Sequence, residues 1–107
     1  MIKEIKSSEI KKFLESNPKT VLLDVRTEDE WSTVGKPDTN DLGIKSYFIT
    51  ISQDPSFVDS VKQNIDIKNK VLVMCAAGGR SVVAANLLAQ EGYETLNVSD
   101  GFSGNGQ

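Results

Sequence analysis

Cysteine chemistry is the chemistry this sequence favours, because its one cysteine lies in a distinctive local pattern. Cys75 follows the apolar run 71–74 and precedes a stretch of small residues that ends at an arginine. Small residues let successive backbone N–H groups turn toward one point and form an anion-binding nest. A helix that begins at the arginine adds the positive end of its dipole, and the arginine side chain adds a full positive charge. We therefore predict that Cys75 and Arg80 are catalytic and that an anion binds Ala76, Ala77, Gly78, Gly79 and Ser81.

The same field would activate the thiol without a histidine. A free cysteine with a pKa of ~8.5 is only a few per cent thiolate at pH 7. Lowering the pKa by about two units takes about 2.7 kcal/mol. A helix N-terminus supplies up to ~2 kcal/mol, and loop amides with Arg80 can supply the remainder. Purely structural roles for the same residues stay open. Cys75 can be a small buried hydrophobic residue, Gly78 and Gly79 can form a tight turn, and Arg80 can point into water.

Composition excludes several other kinds of site. The chain of 107 residues has no histidine and a single cysteine. Ser-His and Cys-His nucleophile pairs, His-ligated metals, four-cysteine zinc sites and internal disulfides are therefore excluded. A net charge of −3 and a pI near 4.9 argue against binding to nucleic acid.

Length and hydropathy patterning predict one domain over residues 1–107 in a soluble protein. The N-terminus is charged and alternating, unlike a signal peptide, and the apolar stretches are too short to cross a bilayer. We expect a cytoplasmic protein, or a periplasmic one if a leader has been removed.

Strand-like and helix-like segments alternate along the chain, which predicts an α/β domain with a mostly parallel sheet. We expect strands over 2–5, 20–25, 47–51, 70–74 and 95–98. Helices are expected to begin at Ser7 or Ser8, at Thr27, at 54–56 and at Arg80, with Val83, Leu87 and Leu88 as core contacts of the last one. Residues 99–107 read as an ordered turn and a frayed tail. Since ligands bind beyond the carboxyl ends of parallel strands, the strand over 70–74 delivers Cys75 to that edge.

A second polar group follows the buried strand over 20–25. Asp24 is expected to be structural, accepting backbone N–H bonds near the cysteine loop. Arg26 is expected either to face the pocket and attract anions, or to pair with Glu30 and brace the loop.

These motifs together resemble a rhodanese-like single-domain sulfurtransferase over nearly the whole chain. The segment from Cys75 to Ser81 resembles the active loop of that family, and 22–31 resembles its early "DVR…E-aromatic" motif. The helix end over 87–93 and the strand and turn over 96–102 also match. The resemblance implies a five-stranded, mostly parallel sheet with helices on both faces.

The resemblance also implies a mechanism. The Cys75 thiolate would take the outer sulfur of a donor such as thiosulfate or polysulfide as a persulfide. A thiol, cyanide or partner cysteine would accept it, in a cytoplasmic monomer or homodimer. It implies no metal or organic cofactor, while the acidic pI and the short apolar stretches predict no nucleic-acid or membrane partner.

Two departures separate the chain from the family pattern. A Gly-His-Ile segment usually follows the early motif, but here 34–38 and a longer loop to Gly43 replace it. In addition, Phe102 follows Gly101 where the family commonly has a second Gly, and the Trp that is common after it is missing. The missing histidine is usually structural in the family, so its loss does not imply lost activity.

Two alternative functions would also use a cysteine followed by an anion-binding loop. A cysteine-dependent phosphatase or arsenate reductase has one more residue between cysteine and arginine, usually with a histidine before the cysteine. A non-turnover sulfur or polysulfide carrier would keep the whole loop, and the sequence does not distinguish it from an enzyme. Uncharged Ala76 and Ala77 favour polysulfide, a protein acceptor or a bulky donor over thiosulfate.

Overall fold

The computed structural model describes residues 2–52 and 54–102, so the frayed tail predicted after Phe102 lies outside the described residues. The strands are β1 (Lys3–Ile5), β2 (Thr20–Asp24), β3 (Ser46–Phe48), β4 (Lys70–Met74) and β5 (Glu94–Val98). The α-helices are α1 (Ile10–Ser16), α2 (Glu28–Thr33), α3 (Ser56–Asn64) and α4 (Gly79–Gln90). Short 3-10 turns cover Ser7–Glu9 and Asn40–Leu42. Among the described ranges, no helix has the length and apolar character to span a bilayer.

All five strands run parallel in the order β1-β5-β4-β2-β3. The adjacent strands β4 and β2 are mostly apolar, and all their residues except Lys70 are buried, as expected for strands covered on both faces. Alternate side chains of β4 enter two separate apolar layers: Val71 and Val73 pack with α3 and α4, while Leu72 and Met74 pack with α1. The predicted fold class is confirmed.

Helix α4 rests on the sheet through small side chains. Ser81, Ala84, Ala85 and Leu88 are buried, whereas Val83 is 54% exposed. The prediction that Val83 is a core contact is wrong, because the helix turns its smallest residues inward. Small side chains allow the helix backbone to approach the sheet closely, which fixes the position of the loop that precedes α4.

Strand β3 is shorter and earlier than predicted, ending at Phe48. Ile49 and Ile51 continue toward the core and donate backbone N–H bonds to the carbonyls of Asp24 and Val25 at 3.1 Å each. The chain therefore stays beside β2 after the regular ladder has ended. This extension lies at the same end of the sheet as Cys75.

Candidate active site

Cys75 lies immediately after β4, at the carboxyl edge of the central strand. Its side chain is 1% exposed, and its sulfur forms the floor of the loop that leads into α4. The Gly78 N–H donates to Sγ at 3.1 Å, and the Ser81 hydroxyl lies 3.3 Å from Sγ. The loop therefore turns donors toward the sulfur, which is the arrangement that an anion-binding nest requires.

Burial raises the pKa of the Cys75 thiol. Hydrogen bonds from Ser81 and from the amides of Ala77 and Gly78 together lower this pKa by more than burial raises it. The net result is a pKa below the ordinary value for cysteine. Since the thiolate is the nucleophile, a lower pKa moves reactivity to lower pH.

We expect the rate of Cys75 alkylation by iodoacetamide to reach half its maximum at a lower pH than for free cysteine. The measurement is a rate–pH profile followed by intact mass, with free cysteine as the reference and Ser81→Ala as a variant that removes one partner of the sulfur. A profile whose midpoint equals or exceeds that of free cysteine would contradict an activated thiol.

Gly78 gives the loop its sharp turn. Its φ is +96°, and a Cβ at this position would lie 2.5 Å from the Ser99 carbonyl oxygen. The loop thus packs directly against the backbone that follows β5. A side chain at residue 78 would force the two segments apart, so this glycine is required by both conformation and space.

A chain of polar groups leads from the buried sulfur to the exposed residue Glu4. The Ser81 hydroxyl has one proton, which it can donate to Asn97 Oδ1 or to the sulfur, and Asn97 Nδ2 donates to the Glu4 carboxylate at 3.1 and 3.2 Å. Asn97 Nδ2 also donates to the Gly78 carbonyl at 3.3 Å. Sequence reasoning missed Asn97 and Glu4. The available signal was an asparagine inside the buried strand β5, since a buried amide needs partners.

The turn after β5 supports the loop from the other side. The Phe102 N–H donates to the Cys75 carbonyl at 2.8 Å. Gly101 has a φ of +60°, and a Cβ there would lie 2.4 Å from the Ala76 carbonyl oxygen. Asp100 accepts bonds from the Ser7 N–H at 3.0 Å and the Ser7 hydroxyl at 2.6 Å. Ser7, predicted as a helix cap, therefore ties the N-terminal segment to this turn instead.

Arg80, the second residue of α4, donates to both carboxylate oxygens of Glu30 at 2.6 and 2.8 Å. The Thr27 N–H and hydroxyl also donate to Glu30, each at 3.1 Å. The hydrogen bond from Arg80 is the main reason that the pKa of Glu30 falls to about 2. Arg80, predicted to be catalytic, is thus held by a carboxylate from α2.

Arg26 is placed differently from both expectations. Its side chain is 1% exposed, so it does not face an open pocket, and its partner is Asp24 rather than Glu30. Arg26 Nε and Nη2 donate to the Asp24 carboxylate at 2.8–3.0 Å, and Nη2 also donates to the Gly35 carbonyl. The Phe102 ring covers the guanidinium at 4.3 Å. The predicted contact between Arg26 and an anion is therefore wrong: the guanidinium is already enclosed and paired.

Asp24 accepts the backbone N–H of Arg26 at 3.0 Å, a contact of the kind expected for it. Asp24 and Arg26 together form a buried ion pair without net charge, next to the turn that supports the cysteine loop. Because Asp24 ends β2 and Cys75 follows β4, two adjacent strands bring the pair and the cysteine to the same edge of the sheet.

A groove of about 440 Å³ opens beside the loop. Arg80, Val83 and Leu87 form one wall along α4, and Ile51 and Ser52 form the other. The exposed Val83 thus lines a mostly apolar groove that begins next to Arg80.

Comparisons with known proteins agree with this geometry. The model of the Rhodanese-like domain family matches residues 7–105. The uncharacterised protein RP600 of Rickettsia prowazekii is 34% identical over 110 residues, covering 100% of this chain and 89% of its own length.

Solved structures show the same likeness. The crystal structure of Rv0390 from M. tuberculosis superposes with a TM-score of 0.80 at 30% identity, over 92% of this chain and 78% of that one. A rhodanese-like domain protein from Staphylococcus aureus shares the fold, with a TM-score of 0.65 at 23% identity over 94% and 87% of the two chains. With the loop of Cys75 at the carboxyl edge of a parallel sheet, these matches show that the chain belongs to the rhodanese-like domain family.

Proposed function

We propose that this protein is a rhodanese-type sulfurtransferase that moves a sulfane sulfur from a donor, such as thiosulfate or polysulfide, through a Cys75 persulfide to a thiophilic acceptor. The observation that carries the proposal is the Cys75 sulfur at the floor of a loop of inward N–H groups, ahead of helix α4. Such a site holds a single anionic sulfur, either as thiolate or as persulfide.

The proposed sulfur transfer has two steps. The Cys75 thiolate attacks the outer sulfur of thiosulfate, a new S–S bond forms, and the old one breaks with its electron pair leaving on sulfite. The persulfide then carries the negative charge that the thiolate carried, and the loop amides stabilise both. In the second step a thiolate or cyanide attacks the terminal sulfur, and the Cys75 thiolate is regenerated.

The test is intact mass after incubation with thiosulfate and, separately, with polysulfide. We expect the wild type to gain the mass of one sulfur atom, and cyanide or dithiothreitol to remove it. Cys75→Ser should gain nothing, since a hydroxyl cannot form the persulfide. If neither donor loads the wild type, the proposal fails, and phosphate-ester and arsenate assays should follow.

Repeated turnover separates an enzyme from a sulfur carrier that uses the same loop. We expect thiocyanate or the acceptor persulfide to accumulate far beyond one equivalent of protein. A single equivalent released without further product would favour the carrier.

A further inference from the structure

Arg80 carries the only formal charge in the loop from Cys75 to Ser81, and that charge is already paired. Both terminal nitrogens of its guanidinium donate to Glu30. Arg80 is still 40% exposed, so the pair lies at the surface of the loop rather than in the core. The guanidinium expected to strengthen the anion-binding loop is therefore engaged with a carboxylate of the protein itself.

The Glu30 carboxylate is held independently of Arg80. It is the third residue of α2, and its reciprocal hydrogen bonds with Thr27 form the capping box of that helix. A donor that used Arg80 would have to displace a two-point ion pair whose acceptor is fixed by a helix terminus. With its pKa at about 2, Glu30 also stays charged at any pH used for an assay.

Arg80 is adjacent in α4 to Ser81, whose hydroxyl lies 3.3 Å from the Cys75 sulfur. Glu30 raises the pKa of Arg80 most, and attraction to Cys75 raises it further. The charge of Glu30 opposes the help that Arg80 gives to any anion arriving at the sulfur. This opposition is stronger for a doubly charged donor than for a singly charged one, because Coulomb energy scales with the charge.

We propose that Glu30 is a specificity-determining residue, which neutralises Arg80 and so makes the site prefer singly charged organic sulfane donors over doubly charged inorganic ones. This inference rests on the proposed sulfurtransferase function and specifies its donor class. For a thiosulfonate donor, the Cys75 thiolate attacks the outer sulfur, and the S–S bond breaks with its electron pair on the departing sulfinate. The total charge is unchanged by this step.

The test compares thiosulfate, a dianion, with methanethiosulfonate, a monoanion of similar size that offers the same outer sulfur. The measurement is kcat/KM for each donor with cyanide as acceptor. Glu30→Gln removes the countercharge, and we expect the ratio of thiosulfate to methanethiosulfonate activity to rise about fivefold or more. Because both donors are assayed on one sample, a change in the folded fraction cancels in the ratio.

Glu28→Gln is the matched control. Glu28 is an exposed carboxylate of the same helix, so this variant makes the same change in net charge away from Arg80. We expect its ratio to stay within about twofold of the wild type, since exposed charges without a direct partner contribute little. Adding Arg80→Ala to Glu30→Gln should abolish the gain, because the freed guanidinium is its source.

The outcomes are distinct. An unchanged ratio in Glu30→Gln, with methanethiosulfonate still loading Cys75, overturns this inference and leaves the sulfurtransferase proposal standing. An equal rise in Glu28→Gln, or a rise that survives Arg80→Ala, also overturns it. If no donor loads Cys75 even in the wild type, the proposed function itself is wrong.

Discussion

Gly101→Ala is expected to destabilise the protein by about 2–4 kcal/mol and to lower sulfur loading of Cys75 at least tenfold. A methyl group at this position would lie 2.4 Å from the Ala76 carbonyl oxygen and 2.6 Å from the Cys75 carbonyl oxygen. These are backbone atoms of the cysteine loop, so only movement of the loop relieves the clash. Urea unfolding and persulfide formation measure the two effects.

Gly43→Ala is the control that separates conformational strain from the clash. Gly43 has a φ of +71°, close to the +60° of Gly101, but an added Cβ would meet nothing within 4 Å. We expect it to cost only about 1–2 kcal/mol and to leave sulfur loading unchanged. Equal losses in the two variants would show that the turn does not press on the loop.

Asp24→Asn is expected to cost about 3–5 kcal/mol of unfolding free energy, because it leaves the Arg26 guanidinium buried without a countercharge. Domains of this kind have total stabilities of about 5–15 kcal/mol, so the loss is a large fraction. The midpoint of urea unfolding is the measurement. The variant keeps the shape of the side chain, so the loss reports the charge rather than a cavity.

Asp41→Asn makes the same chemical change at an exposed residue, and we expect a change within about 0.5 kcal/mol. The double variant Asp24→Leu/Arg26→Met should recover much of the loss, since apolar residues can replace a buried ion pair. A loss below about 1 kcal/mol in Asp24→Asn would mean that solvent reaches Arg26 despite its 1% exposure.

The elements with strong local patterns were predictable from the sequence. The buried strand β4 was predicted with its observed bounds, because an apolar run of strand length ends at a cysteine and a glycine loop. The capping of α2 by Thr27 was equally local, with the partner Glu30 three residues away. Strand β3 was misplaced because apolar residues continue past Phe48 without continuing the ladder.

The partners of the charged residues were harder to predict. Asp24 and Arg26 are two residues apart, so an extended chain puts both side chains on one face; this spacing is a signal that sequence reasoning did not use. The pairing of Arg80 with Glu30 joins residues 50 positions apart, and no local rule specifies it. Asn97 and Gly101 contact the cysteine loop only because β5 lies beside β4 in the sheet.

The pairing of β1 with β5 has a consequence for how the protein is made. Strand β1, the first in the chain, pairs with β5, the last in the chain. The contacts between Ser7 and Asp100 join the same two parts of the chain. On the ribosome, Cys75 is synthesised before Asn97, Gly101 and Phe102, which support its loop. The loop therefore stays incomplete until β5 and the turn after it have left the exit tunnel and joined the sheet, and long-range closure of this kind is slow. The Cys75 thiol would therefore reach the reactivity that it has in the folded protein only after these residues have left the exit tunnel.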